Sequence, residues 1–374
     1  MTSDGKQRSF TVHRTVAMAV DPIHVGTGGS RLGRVDNSIV RDPVTRIPKI
    51  PGSSLAGVHR AYAAMALEDK RAGQGYQDPR DDKHKDDPFY PNCAGQGQTK
   101  GQEHCGDRAC PICSAFGHAS FAGLAAFSDA QVLLFPVPTR EGPVWVTSPG
   151  ALRFVGFETT AEENVVYREK GESLNLGWLL LPRAEWPTVE IVEKHDGTSS
   201  EGSHATEDAE PPGNDEGRDE NLQNLKNAFR MLGIPMHILD SLALVSDKLF
   251  SHVVNSNLEV RTSVAINPET GAAEDGALFT YEALPRATVL VWDVTCRDPR
   301  HFVDRPQAVD PHDTVTKAHP LLEALGIGGM GTRGMGRLRV LKAACTDDKA
   351  VKSDGEPDER DQTNPNGARE EGQP

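Results

Sequence analysis

The stretch that decides the fold runs from Arg46 to Arg60, RIPKIPGSSLAGVHR, and follows a tract, Gly33–Asp42, that reads GRVDNSIVRD. Pro51-Gly52-Ser53-Ser54 opening an Ala/Leu/Val run is a helix start. Ser53 or Ser54 can cap the first turn, Gly52 lets the backbone turn tightly, and Leu55, Val58 and Tyr62 fall near helical spacing. An uncovered helix N-terminus, with Lys49 before it and Arg60 behind it, favours a bound phosphate. The alternative is an ordinary capped surface helix.

Working outward, the pattern carries this helix to about Asp69. Upstream, Phe10–Val20 (FTVHRTVAMAV) is β-prone with partial alternation and is expected to be the first strand. The glycine-rich turn Gly26–Gly33 and the Asp36 segment lie between. Downstream, residues 70–92 are charged and broken by Pro and Gly, as in an inserted loop, and a cysteine cluster occupies 93–113. Leu124–Pro138 and Pro143–Val146 read as paired strands. Asn221–Leu232 and Pro235–Leu249 have helical spacing, and Val253–Ile266 and Ala277–Thr295 read as strands. The chain closes with Leu321–Gly326, a second glycine loop and a last strand, Arg337–Lys342. Strands interleaved with few helices, with a late strand returning to pair with the first, fit an α+β sandwich. No internal repeat is visible.

The 374 residues carry a formal charge of −14 and only 37% hydrophobic residues. Two segments account for both. His195–Asn221 has nine acidic residues and one basic, Arg218; Thr346–Pro374 has nine acidic and four basic. Both lack apolar periodicity and are expected to be disordered. Removing their −8 and −5 leaves about −1 on the remainder, so the acidic balance does not exclude a basic nucleic-acid-binding face. No apolar run approaches the roughly 18 residues of a membrane span. The polar start, MTSDGKQRSF, has no signal-peptide core, and the cytoplasm is the expected location.

Four of the six cysteines, Cys93, Cys105, Cys110 and Cys113, lie together. The two-residue gap in Cys110-Pro-Ile-Cys113 lets adjacent thiolates grip one tetrahedral ion, and a structural Zn²⁺ is expected there. His104 is a substitute for Cys105 and His118 a weaker reserve. Four protein ligands leave no open coordination position, so such a zinc would staple the insertion. Cys296 and Cys345 are isolated and read as packing residues.

The run His24–Arg60, HVGTGGSRLGRVDNSIVRDPVTRIPKIPGSSLAGVHR, resembles the N-terminal signature of the RAMP superfamily, the repeat-associated RNA-binding proteins of CRISPR effector complexes. Leu325–Arg339, LGIGGMGTRGMGRLR, is similar to the superfamily's C-terminal glycine-rich loop. Phe127–Arg153 (FSDAQVLLFPVPTREGPVWVTSPGALR) and Leu258–Pro285 (LEVRTSVAINPETGAAEDGALFTYEALP) resemble the backbone subunit of the type III-B (Cmr) complex, with the Csm-type equivalent next. Four blocks in the right order are far more specific than any one of them. The cysteine cluster also looks like the zinc insertions of some backbone subunits, particularly the Csm type.

The resemblance implies an α+β fold with a ferredoxin-like (RRM-related) core, an inserted thumb, a lid and a zinc-binding insertion. On that frame residues 1–69 begin the core, 70–123 form the zinc loop and 124–194 a strand-rich core and thumb region. Residues 195–221 are an acidic insert, 222–345 the rest of the core, and 346–374 a tail. The implied partners are a CRISPR guide RNA, a complementary target RNA, further copies of the chain in a filament and other type III effector subunits, with no membrane. Phosphates are read by backbone N–H groups, hydroxyls and cations. Gly26, Gly28 and Arg31 offer these in the first turn, Lys49, Gly52, Ser53, Ser54 and Arg60 around the helix start, and Gly328, Gly329, Thr332, Arg333 and Arg337 in the second loop. The glycine loop is not a Walker A sequence.

Asp36 occupies the place of the family's target-cleaving aspartate. The resemblance implies an endoribonuclease that cuts guide-paired RNA once per subunit with Mg²⁺ or Mn²⁺, by attack of a ribose 2′-OH on the adjacent phosphate. That reaction needs help with the hydroxyl proton and stabilisation of charge at the phosphate. His24 and Glu282 match positions that could assist, although His24 equally suits phosphate contact or core packing. Asp42 is expected to cap a turn, Asp129 to be structural, and His13 has no assignable partner. Three rivals compete: a non-catalytic RNA-binding scaffold, a precursor-processing RAMP endoribonuclease with a histidine-centred site, and a zinc-ribbon interaction protein. The last explains only residues 93–113.

Overall fold

A computed structural model describes residues 9–28, 35–73, 76–95, 104–191, 216–301 and 309–341. Its frame is a mixed sheet, eleven-stranded among these residues. Along its main path the order is Leu338–Val340, Phe10–Ala19, Val289–Arg297, Ala130–Thr139, Gly142–Thr147, Leu242–Leu244, Val166–Tyr167, Leu179–Ala184 and Ser173–Leu176. The first strand lies between two late ones: Ala17 pairs with Val340 on one side and Leu290 on the other, both antiparallel. The expected return of the last strand to the first is therefore found.

Side chains alternate across a strand, so successive residues feed opposite cores. Val16, Leu134 and Val291 pack with Trp145, Leu225 and Phe229 on one face. Ala17, Phe135 and Trp292 pack with Ile50, Leu55 and Phe250 on the other. A sheet covered on both faces explains why its central strands read as near-continuous apolar runs. The leading helix, Gly52–Arg71, buries Leu55, His59, Ala63 and Leu67. Its far end meets a third, smaller core in which Ala64 and Leu67 pack with Phe89, Ile112, Cys93, Cys110 and Cys113.

Several expected boundaries shift. The helix expected at Pro235–Leu249 is a single turn, Met236–Leu239, then a strand, Leu242–Leu244, then a second helix, Asp247–Ser256. Ser246 caps that second helix by accepting from the Leu249 amide, which places Val253 and Val254 on a helix and not in the expected strand. The strand itself begins at Glu259. Pro285, which has no amide to give a ladder, divides Ala277–Thr295 into Ala273–Ala283 and Val289–Arg297. A helix spans Glu216–Met231 and so starts within the segment expected to be disordered. The rest of that insert up to residue 215, and the tail, lie outside the described residues.

Glu259–Ile266 and Ala273–Ala283 form a separate antiparallel hairpin. It carries exposed Val260, Val264, Ile266 and Leu278. No helix among the described residues is long and apolar enough to cross a membrane.

Candidate functional site

Pro22–His24 passes beneath the second glycine loop. The Gly329 amide donates to the His24 carbonyl at 2.8 Å and the Gly336 amide to the Pro22 carbonyl at 2.9 Å. Contact is close enough that a Cβ on Gly328 would lie 2.4 Å from the His24 carbonyl oxygen, and Gly328 has φ +89°. Only glycine satisfies both conditions. His24 is 6% exposed, and its Nδ1 sits 2.6 Å from the Glu282 carbonyl. A carbonyl only accepts, so Nδ1 carries the proton. On the first glycine turn, Gly26 pairs with Ile39 and Gly28 is exposed. Arg31 lies outside the described residues.

Asp36 is exposed beside the hairpin strand Ala273–Ala283. Its Oδ2 accepts from the Thr280 amide at 2.7 Å and the Thr280 hydroxyl at 2.9 Å. The Asn37 amide donates to the Thr280 carbonyl and the Glu282 amide to the Asn37 carbonyl, each at 3.0 Å. These bonds stitch the Asp36 segment to a strand 244 positions away in sequence. Donation from the Thr280 backbone, then from its hydroxyl, holds the Asp36 carboxyl below the usual carboxylate range. Both Thr280 donors fall on Oδ2, and among the described residues no other residue donates to Oδ1. Thr280 was missed by sequence reasoning. Its signal was its place two residues before Glu282 in FTYEALP, where alternation puts both on one strand face.

Glu282 itself is not available as drawn from the sequence. Its carboxylate takes the Arg41 guanidinium at 2.8 Å, and Arg41 also donates to Asn255 Oδ1 and the Ile39 carbonyl. Asp42 caps its turn as expected, accepting from the Val44 and Thr45 amides.

The helix N-terminus corrects a second expectation. Neither Ser53 nor Ser54 caps it, and it is not uncovered. Asp129 accepts from the Gly52 amide at 2.8 Å and from Lys49 Nζ at 2.6 Å, so a carboxylate of the chain occupies the place proposed for a phosphate. A Cβ on Gly52 would fall 2.5 Å from the Phe127 carbonyl oxygen, which makes this glycine a packing requirement. Bonding to Asp129 also raises the Lys49 pKa. Arg337 is matched by Asp21 at 3.0 Å. Arg333 and Thr332 remain exposed on the loop, Arg333 lying 5.4 Å over the Phe279 ring.

The four clustered cysteines converge. Their sulfurs lie 3.5 Å (Cys93–Cys105), 3.7 Å (Cys105–Cys113), 3.8 Å (Cys93–Cys113) and 3.9 Å (Cys93–Cys110) apart. Disulfide bonding requires about 2.05 Å. Four thiolates about 2.3 Å from one tetrahedral ion are about 3.8 Å from each other, and the set fits that figure. The cluster can hold a metal such as zinc. His104 lies outside the converging set, and its Nδ1 accepts from Arg60 at 2.8 Å. Arg60, expected on the RNA path, turns the other way. It donates to the Cys93 carbonyl at 2.7 Å and the Gly117 carbonyl at 2.9 Å, because the helix that carries it packs against the cysteine core.

Over 289 residues the chain is 25% identical to the CRISPR system Cmr endoribonuclease Cmr4 of Pyrococcus furiosus, covering 72% of this chain and 76% of that one. A shorter stretch of 47 residues is 48% identical to the Cms endoribonuclease Csm3 of Enterococcus italicus, 12% of this chain and 22% of that one. In fold it is similar to a chain of the type III-B Cmr-beta complex bound to cognate target RNA, with a TM-score of 0.52 at 16% identity over 89% of this chain and 98% of that one. The same complex in its apo state gives a TM-score of 0.50 at 16% identity, over 88% and 96%. Residues 17–339 match the RAMP superfamily along their whole length, and the chain belongs to it.

Proposed function

We propose that this chain is the guide-RNA-binding backbone subunit of a type III CRISPR interference complex and that it cleaves complementary target RNA once per subunit. The observation that carries this reading is the Asp36 clamp. An exposed carboxylate is fixed by two donors on one oxygen, beside the hairpin strand and close to where the second glycine loop lies on Pro22–His24. Gly26 and Gly28 let backbone approach a phosphate, Gly328 and Gly329 seat the second loop on His24, Thr332 and Arg333 supply a hydroxyl and a cation, and Ser53 and Ser54 keep their hydroxyls off the helix cap. Such a surface reads backbone and not base, which suits a guide of variable sequence. In this reading the core is ferredoxin-like with its thumb region within 124–194, the hairpin Glu259–Ala283 flanks Asp36, and copies of the chain stack along the guide with other effector subunits.

Asp36 Oδ1 accepts the proton of the target ribose 2′-OH as that oxygen bonds to the adjacent phosphorus; the P–O5′ bond breaks, and the 5′-oxygen takes a proton from water and leaves as a 5′-hydroxyl, with a 2′,3′-cyclic phosphate behind it. Thr280 keeps the carboxylate ionised and aimed. Backbone amides of the glycine loops hold the phosphate on which charge develops. The Asp36 carboxylate would hold Mg²⁺ or Mn²⁺, and the ion would further stabilise that charge. His24, buried and bonded to the Glu282 carbonyl, shapes the floor of the site. Cys93, Cys105, Cys110 and Cys113 would hold a Zn²⁺ that fastens residues 76–95 and 104–123 to the leading helix, apart from the reacting groups.

The test is the product. Guide-matched RNA incubated with the reconstituted complex and Mg²⁺ or Mn²⁺ is expected to yield regular cuts, one per subunit, with cyclic phosphate and 5′-hydroxyl ends. RNA that binds and stays intact under these conditions would make the chain a non-catalytic scaffold of the same complex.

A further inference from the structure

The cysteine core contains a cation that the chain itself does not balance. Four thiolates around one divalent ion sum to a charge of −2, and three of them, Cys93, Cys110 and Cys113, are fully buried. A buried net charge is costly unless an opposite charge stands close by. Two arginines approach the cluster. Arg80, 2% exposed, stacks 3.8 Å over the Phe89 ring and is matched by Asp78 at 2.6 Å. Arg60 has no such match: among the described residues no carboxylate lies within ion-pair reach of it. Its Nη2 stands 3.9 Å from Cys113 Sγ, while its other bonds go to the two carbonyls and to His104 described above.

We propose that Arg60 is the counter-cation of a tetrathiolate metal centre. This inference rests on the reading of the cysteine cluster as a metal site and gives that site a residue outside its ligand set. The leading helix delivers the charge. Arg60 follows the buried His59 on the helix, so its guanidinium reaches between the Cys93 and Gly117 strands of chain and fastens both flanks of the cluster. Without a metal dianion the guanidinium is a half-buried charge held only by neutral acceptors. With it, the charges compensate across about 4 Å. Zinc loading and the docking of the 76–123 insertion onto the helix are therefore one event.

The full-length chain, stripped and titrated with Co²⁺, is expected to develop the intense near-ultraviolet thiolate-to-cobalt absorption of four sulfur ligands, and Zn²⁺ competed against a chromophoric chelator gives the affinity. Arg60→Gln, which keeps hydrogen-bond donors and loses the charge, is expected to weaken Zn²⁺ binding about 10–100-fold. Arg60→Lys keeps the charge and is expected to retain most of the affinity. Equal affinity in Arg60→Gln and wild type would overturn the proposal. So would a loss of tenfold or more in Arg60→Lys, which would make the residue a brace and not a counter-charge; this variant decides the matter if Arg60→Gln does not fold. A wild-type chain that shows no thiolate–cobalt band would instead remove the metal reading on which the proposal stands.

Discussion

Asp36 depends on one residue that makes no pretence to chemistry of its own. The Thr280 hydroxyl and amide both donate to Asp36 Oδ2, and the amide survives any side-chain substitution. Thr280→Val, nearly isosteric, removes only the hydroxyl bond. Loss of one charge-assisted hydrogen bond costs about 1.5 kcal/mol, or roughly tenfold in rate. Cleavage is expected to slow by about that factor while target affinity stays unchanged, with Thr280→Ser restoring the rate; a matching loss of target binding would mean that Thr280 acts on the hairpin and not on Asp36. At this scale the sequence was legible where a residue type has one plausible role and misleading where partners decide. Asp42 and the four cysteines stood out by type and spacing, whereas Asp36 was picked out by the family resemblance alone. Lys49, Arg60 and Glu282 looked available because their partners, Asp129, Gly117 and Arg41, are remote in the chain or silent in a motif.

Two elements set the shape of the site, and each has a measurable weak point. The second glycine loop lies on His24 at Gly328, where a side chain meets both a left-handed backbone and a carbonyl oxygen. Gly328→Val is expected to cost roughly 2–4 kcal/mol, seen as a lowered unfolding midpoint, and to abolish guide binding even below that midpoint. A variant as stable as wild type would show that the loop yields. The leading helix buries His59, whose Nδ1 bonds the Leu55 carbonyl, against Phe127, Trp292 and His319. Burial pushes His59 down to about 4, and burial, then His59 and His312, push His319 down to about 3. Both folded values lie below the ordinary 6.5, so the unfolded chain takes up protons first. Their stabilising contribution is present above about pH 6.5 and lost as pH falls toward 4, on the order of 3 kcal/mol for His59. Urea midpoints measured between pH 7 and pH 4.5 should fall for wild type and fall less for His59→Gln. Helix and strand order was readable from periodicity, yet Met236–Ser256 was not. Its short strand Leu242–Leu244 is apolar on every residue, a pattern that buried helix and buried strand share.

Across the whole molecule the sheet and the cysteine core are separate sources of stability that meet along the leading helix and where Phe116 stacks on Phe127. Chelation of the metal is expected to make residues 76–123 susceptible to protease while the sheet strands stay protected; protection of both regions after complete metal removal would contradict a stapling role. The large frame was legible because the first strand is β-prone with partial alternation and the two glycine motifs mark where the first and last strands meet. Sheet order was not, since strands such as Val166–Tyr167 are two residues long and are ordered by tertiary pairing alone. The central claim, that this assembly exists to hold Asp36 against a guide-paired RNA, is tested most directly by comparing wild type with Asp36→Ala in the reconstituted complex. The account predicts unchanged target binding and a fall in cleavage of at least about 100-fold at every site. Cuts that persist at the wild-type rate in the Asp36→Ala complex would place the reacting groups elsewhere and contradict it.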